Sequence, residues 1–149
     1  MSILDTLGAA AKGERSAFVD LASQSLNCFV AEPRQAMMRM GEALVFGRLA
    51  ALAGSHEEMK RLAGILFLFA QMMADQAGVA AACDDREDAG FYEVEGCEAQ
   101  AEALFWLNRA ADLGDEEAAG YILLAGEIGV DPAAFSLAAK TTAQTKEPA

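Results

Sequence analysis

The residues able to do chemistry in this 149-residue chain are few, and their spacing is poor for catalysis. His56 is the only histidine, so it has no second imidazole with which to share a metal. Its neighbour Ser55 reads as a helix cap, not as a nucleophile. The neighbouring carboxylates Glu57/Glu58 and Glu116/Glu117 would form an acid–base pair only if they converged in a cleft. Each pair stands where a helix is expected to start, and the positive end of the helix dipole already accounts for acids there. A di-iron bundle needs Glu-x-x-His pairs, and the sequence has none. Cys28, Cys83 and Cys97 lack metal-ligand spacing, and an odd number does not read as a disulfide framework. Cys83 and Cys97 flank an acidic segment and would meet only if that segment closed as a hairpin. No catalytic, cofactor-binding or metal-binding residue is assigned, and the chain is expected not to be an enzyme.

The acidic segment is the feature that calls for a function. Eight acids fall between Asp84 and Glu102, against the single base Arg86. A calcium loop beginning at Asp84 would have Asp88 at position five and Glu95 at position twelve, as an EF-hand requires. Position three, however, is Arg86, and the obligatory glycine at six is Ala89. The calcium reading fails. What remains is a solvated loop or a protein-docking surface, with Asp84, Asp85, Glu87, Asp88, Phe91, Tyr92, Glu93 and Glu95 as candidate partner-binding residues. Phe91-Tyr92 either folds back onto the helices as an anchor or lies exposed among the acids; the anchor is the expected arrangement.

Charge sets the class of partner. The formal charge is −12; residues 1–50 carry five acids and five bases, 51–100 ten against three, and 101–149 eight against three. Such a chain repels nucleic-acid phosphates and anionic membranes and attracts basic surfaces. Direct binding to nucleic acid or membrane is not expected. The longest uncharged stretch, Leu62 to Ala74, would span about 20 Å as a helix, short of a ~30 Å hydrocarbon layer. With no apolar run ending in a cleavage site, no secretory signal is read, and the expected location is the cytoplasm.

The elements that must position these residues are helical. Thirty-three alanines stand against ten Ile and Val together, and Ala loses no side-chain freedom in a helix whereas β-branched residues favour strands. Punctuation by Gly, Pro and capping residues predicts helices over 2–12, 14–30, 33–53, 55–82, 97–113 and 115–128, with a last short one from Asp131 to Lys140 and a flexible tail over 141–149. Residues 83–96, carrying Gly90 and Gly96, read as a loop. In the second helix Phe18, Leu21, Ala22, Ser25 and Phe29 share a face, and in the third Met38, Val45, Leu49 and Leu52 line a stripe. Gly54 is expected to stop the third helix in the left-handed position, and Ser55-His56-Glu57-Glu58 forms a capping box. The fourth helix is apolar nearly all round, so it should be central. The methionine cluster (Met37, Met38, Met40, Met59, Met72, Met73) reads as core filling rather than an adaptable surface.

An internal repeat appears at an offset of 60 residues. Glu42-Ala43-Leu44 aligns with Glu102-Ala103-Leu104, Phe46 with Trp106, Ala50-Ala51 with Ala110-Ala111, Gly54 with Gly114, and Glu57 with Glu117. Small Ala pairs permit close helix approach, a large residue fills the space beside them, and Gly permits a tight reversal. Both copies therefore read as helix hairpins. The second copy, through Ala103, Leu104, Trp106, Ala110, Ala111, Gly114, Asp115 and Ala118, resembles the Sel-one-like repeat, a relative of the tetratricopeptide repeat. The family repeats about every 36 residues against 60 here, and its Gly-rich turn before the Ala-Leu helix is replaced by the acidic segment.

The expected fold is all-α: a short, solenoid-like stack of six to seven helices in antiparallel hairpins, forming a single domain over residues 1–140. The resemblance implies a scaffold for protein contacts, an adaptor or chaperone-like module. The alternative is an acidic inhibitor or decoy, such as a mobile-element protein, that occupies a basic nucleic-acid-binding surface of its target. The first needs a concave apolar groove between hairpins that holds a partner segment; the second needs a continuous acidic face with regularly spaced carboxylates.

Overall fold

Three-residue reversals organise the chain. The computed structural model describes residues 3–27 and 33–127, and among them are six α-helices and no strand. These are α1 (Ile3–Ala11), α2 (Arg15–Asn27), α3 (Pro33–Leu52), α4 (His56–Ala82), α5 (Arg86–Asp112) and α6 (Glu116–Glu127). The fold is all-α, as the composition requires. The short helix expected from Asp131, the tail expected from Thr141, and the end of the second helix with Phe29 lie outside the described residues.

Three reversals share one hydrogen-bond pattern. After α1, α4 and α5 a carbonyl of the last turn is capped from five residues on: Glu14 N–H donates to Ala9 O (3.1 Å), Asp85 to Ala80 O (2.9 Å) and Asp115 to Ala110 O (3.2 Å). The residue before each donor turns left-handed, at φ 81° for Gly13, 61° for Asp84 and 93° for Gly114. This is the Schellman arrangement, which satisfies carbonyls that the ending helix leaves orphaned. Glycine is strain-free at that position; Asp84 is not.

The reversal from α3 to α4 is built differently, which corrects the expected left-handed Gly54. The described residues with positive φ do not include Gly54. Glycine is needed there because a Cβ would lie 2.5 Å from Ala50 O and 3.1 Å from Glu58 Oε2. The capping box is also partly rearranged. Glu58 accepts from the Ser55 N–H at 3.2 Å, but the Ser55 hydroxyl donates to the same carboxylate. Arg15 adds its guanidinium, 2.9 Å from Glu58 Oε2 and 3.0 Å from Ser55 Oγ, and so ties the start of α2 to the start of α4. Burial acts to raise the Glu58 carboxyl. The hydrogen bonds from Ser55, the backbone and Arg15, with the Arg15 charge, outweigh it and hold the group below its ordinary value.

The chain divides into two compact units, Met1–Ile65 and Leu66–Ala149, with the boundary inside α4. In the first, α1 packs on α2 and α2 on α3. Leu21, Ala22 and Ser25 are buried, as the period of α2 predicts. The buried face of α3 is Ala36, Met40, Ala43, Leu44, Ala50 and Ala51, and at Gly47 the Leu62 side chain of α4 comes within 3.2 Å of where a Cβ would be. Small residues win this face because they let helix axes approach. The expected stripe of Met38, Val45, Leu49 and Leu52 lies on the other side of the helix, exposed at 64%, 53%, 41% and 74%. Met38 is therefore not core, whereas Met40 and Met59 are.

In the second unit Leu66, Ala70, Met73 and Ala77 of α4 are buried. Gly96 of α5 admits close approach: a Cβ there would be 3.3 Å from Met73 Cβ and 3.4 Å from Ala70 O. Hairpin α5–α6 closes over Leu104 and Ala125, with Phe67 packed against them. Trp106 is buried, its indole N–H donating to Glu102 Oε1 at 3.2 Å, and its ring meets Phe105 edge-on. Burying a large apolar side chain contributes roughly 1.5–3 kcal/mol, so such residues dominate the core. By length and composition α4 is the one described helix long and apolar enough to cross a membrane, and a third of its most apolar window is buried. Its burial is one-sided, since Leu68 and Val79 remain exposed.

Candidate functional site

The acidic segment is helical, not a loop. Its start is set by Asp85, whose side chain accepts from the Asp88 N–H at 3.1 Å, and by Glu87 and Asp88 in the first turn. Downstream, Ala89, Gly96, Ala99, Ala103, Trp106, Leu107 and Ala110 recur at spacings of three, four or seven and are buried. That periodic face outweighs the helix-weakening Gly90 and Gly96, which suggested a loop. Helix α5 thus begins eleven residues before the expected Cys97.

This correction re-sorts the candidate residues. Asp84 and Asp85 lie in the reversal, and Asp84 and Arg86 face each other at 3.9 Å with both side chains 93% exposed. Glu87, Asp88, Phe91 and Glu95 share one face of α5 at positions i−4, i−3, i and i+4. Glu93 is exposed too, but points about half a turn away from Phe91. Phe91 is 59% exposed and Tyr92 half-buried, their rings edge-on at 5.6 Å. The anchor reading therefore holds at most for Tyr92 and fails for Phe91. Two members of this face went unnoticed in the sequence: Val94, 56% exposed at i+3, and exposed Glu98 at i+7. Helical spacing counted from Phe91 would have found both. The result is an apolar pair, Phe91 and Val94, within a ring made by Glu87, Asp88, Glu95 and Glu98.

Cys83 and Cys97 are exposed and free. Eleven residues of helix from Arg86 to Cys97 advance about 16 Å, well beyond the ~4.4–6.8 Å Cα separation of a disulfide, so the hairpin that would join them does not form. Nor does a helix from Arg86 leave a twelve-residue calcium loop. Glu57 pairs with Lys60 at 3.0 Å, and Glu117 accepts from the Tyr121 hydroxyl at 2.9 Å. His56 is half-buried in the first turn of α4.

No family model, curated protein or solved structure matches the chain.

Proposed function

We propose that this protein is a non-catalytic interaction module of the Sel-one-like type, acting in the cytoplasm, and that the outer face of α5 docks a basic partner segment carrying apolar anchors. The observation that carries this reading is Phe91 standing 59% exposed beside Val94 within four carboxylates. An aromatic exposed in an apolar patch and rimmed by charge supports a contact centre, since such anchors supply most interface energy while the rim steers and selects. The same pair disfavours the decoy reading. A mimic of a phosphate row needs carboxylates in unbroken succession, and here Phe91 and Val94 interrupt them. The repeat register supports the family resemblance: Ala103, Ala110 and Ala118 are fully buried, and Gly114 and Asp115 form the reversal.

The test uses a defined probe, a lysine-rich amphipathic helical peptide with leucines along one face, titrated against the full chain. Wild-type protein should bind it in a salt-dependent manner. Phe91→Ser with Val94→Ser should weaken binding tenfold or more at fixed salt. Neutralising Glu87, Asp88, Glu95 and Glu98 to Gln/Asn should slow association and flatten the salt dependence. Unchanged affinity in the Phe91/Val94 variant would sink the proposal.

A further inference from the structure

The stripe on α3 that the fold leaves uncovered has a self-complementary pattern. Met38, Val45 and Leu52 recur at intervals of seven, with Leu49 between the last two, and all four are exposed at 41% or more. Sevenfold spacing keeps residues along one seam of a helix that meets another helix. From Met38 to Leu52 the seam runs about 21 Å. Exposed Gly41 interrupts it, and a Cβ there would meet nothing within 4 Å, so the seam has a dent.

We propose that this face pairs two copies of the chain, α3 against α3, antiparallel about a twofold axis at Val45. In that register Val45 meets Val45, Met38 lies level with the second copy's Leu52, and Leu49 enters the dent at the second copy's Gly41. A contact of this kind is isologous and closes at two copies.

Charge favours a like copy here and opposes one elsewhere. Seven acids and seven bases precede residue 66, whereas sixteen acids and four bases follow it. The exposed apolar groups clustered on α5 (Phe91 and Val94) and on α6 (Tyr121, Leu123 and Leu124) belong to the acidic part. Pairing either with itself would bring like charges together. The α3 seam lies in the neutral part and meets no such repulsion. One helix face is smaller than the roughly 800 Å² per partner of a standard interface, so the dimer should be reversible, with a dissociation constant in the micromolar range or weaker.

Sedimentation of the full chain from about 1 µM to about 1 mM should show a monomer–dimer equilibrium. Val45→Glu and Leu49→Glu, both at exposed positions, should weaken it at least tenfold without moving the thermal midpoint. Phe91→Ser should leave it unchanged. With Cys28, Cys83 and Cys97 replaced by Ser, Val45→Cys should cross-link to itself under mild oxidation. Met38→Cys should cross-link only with a Leu52→Cys chain. A chain monomeric throughout the range would overturn the proposal. So would a dimer indifferent to both glutamates, a dimer lost on Phe91→Ser, or a Met38→Cys chain that cross-links to itself.

Discussion

Asp84 shows how one residue can be out of place in an otherwise regular design. It occupies the left-handed position that glycine holds in the two sister reversals, at φ 61° against 81° for Gly13 and 93° for Gly114. A side chain there crowds its own backbone, although Asp tolerates this better than most residues. Its ionic contact with Arg86 is long and almost fully solvated, so it offers little compensation. Asp84→Gly should therefore raise stability by about 0.5–1 kcal/mol, after allowing for glycine's greater freedom in the unfolded chain. Urea denaturation measures this; a loss of stability would mean that the Asp side chain serves the reversal. Gly54 teaches the converse lesson. The stop was legible from Gly54-Ser55, but its reason was not, because a clash with the Ala50 carbonyl depends on how closely the next helix starts.

At the scale of elements, the helices whose caps and buried faces agree were legible, and α5 was not. Its acids and glycines resemble a loop when read locally, while the buried row from Ala89 onwards is made of residues too small to stand out by hydropathy. The two glycines that give α5 its loop-like composition should respond oppositely to alanine. At Gly90 a Cβ meets nothing within 4 Å, so Gly90→Ala should stabilise by about 1 kcal/mol through helix propensity alone. At Gly96 the methyl would press on Met73 Cβ and the Ala70 carbonyl, and neither is the free end of a flexible chain. Gly96→Ala should therefore destabilise by roughly 1–3 kcal/mol. Equal signs in thermal melts would refute this account of α4 against α5. A second element-scale effect concerns Glu58, whose carboxyl sits below its ordinary value of 4.5 in the folded chain. A depressed carboxyl contributes stability that is complete above the unfolded value and lost as pH falls through the folded one. Relative to Glu58→Gln, the wild type should lose its advantage between about pH 5 and the folded value, and Arg15→Ala should narrow that window. Parallel acid melts of wild type and Glu58→Gln would show that the Arg15–Ser55–Glu58 cluster does not form in solution.

For the molecule as a whole, the whole net charge of −12 falls after residue 65, and this asymmetry makes salt act in two opposite ways. Among the described residues of that part, acids crowd the starts of α5 and α6, and Arg86 and Arg109 are the only bases. Their mutual repulsion is long-ranged and opposes compactness, and screening shortens it to about 8 Å at physiological ionic strength. Raising salt from about 20 mM to about 500 mM should therefore raise the thermal midpoint of the free chain. The same screening weakens attraction to a basic ligand, so affinity for the lysine-rich peptide should fall over the same series. Self-association through α3 responds in neither of these ways, because that seam lies among balanced charges and its contacts are apolar; it should hold or strengthen slightly as salt rises. One salt series read three ways thus separates the effects: midpoint rising, peptide affinity falling, dimerisation nearly flat. A midpoint that falls with salt would mean that the carboxylates are held by favourable local partners rather than strained by their neighbours. The acidic face would then be part of what stabilises the fold, and neutralising it would cost stability as well as binding.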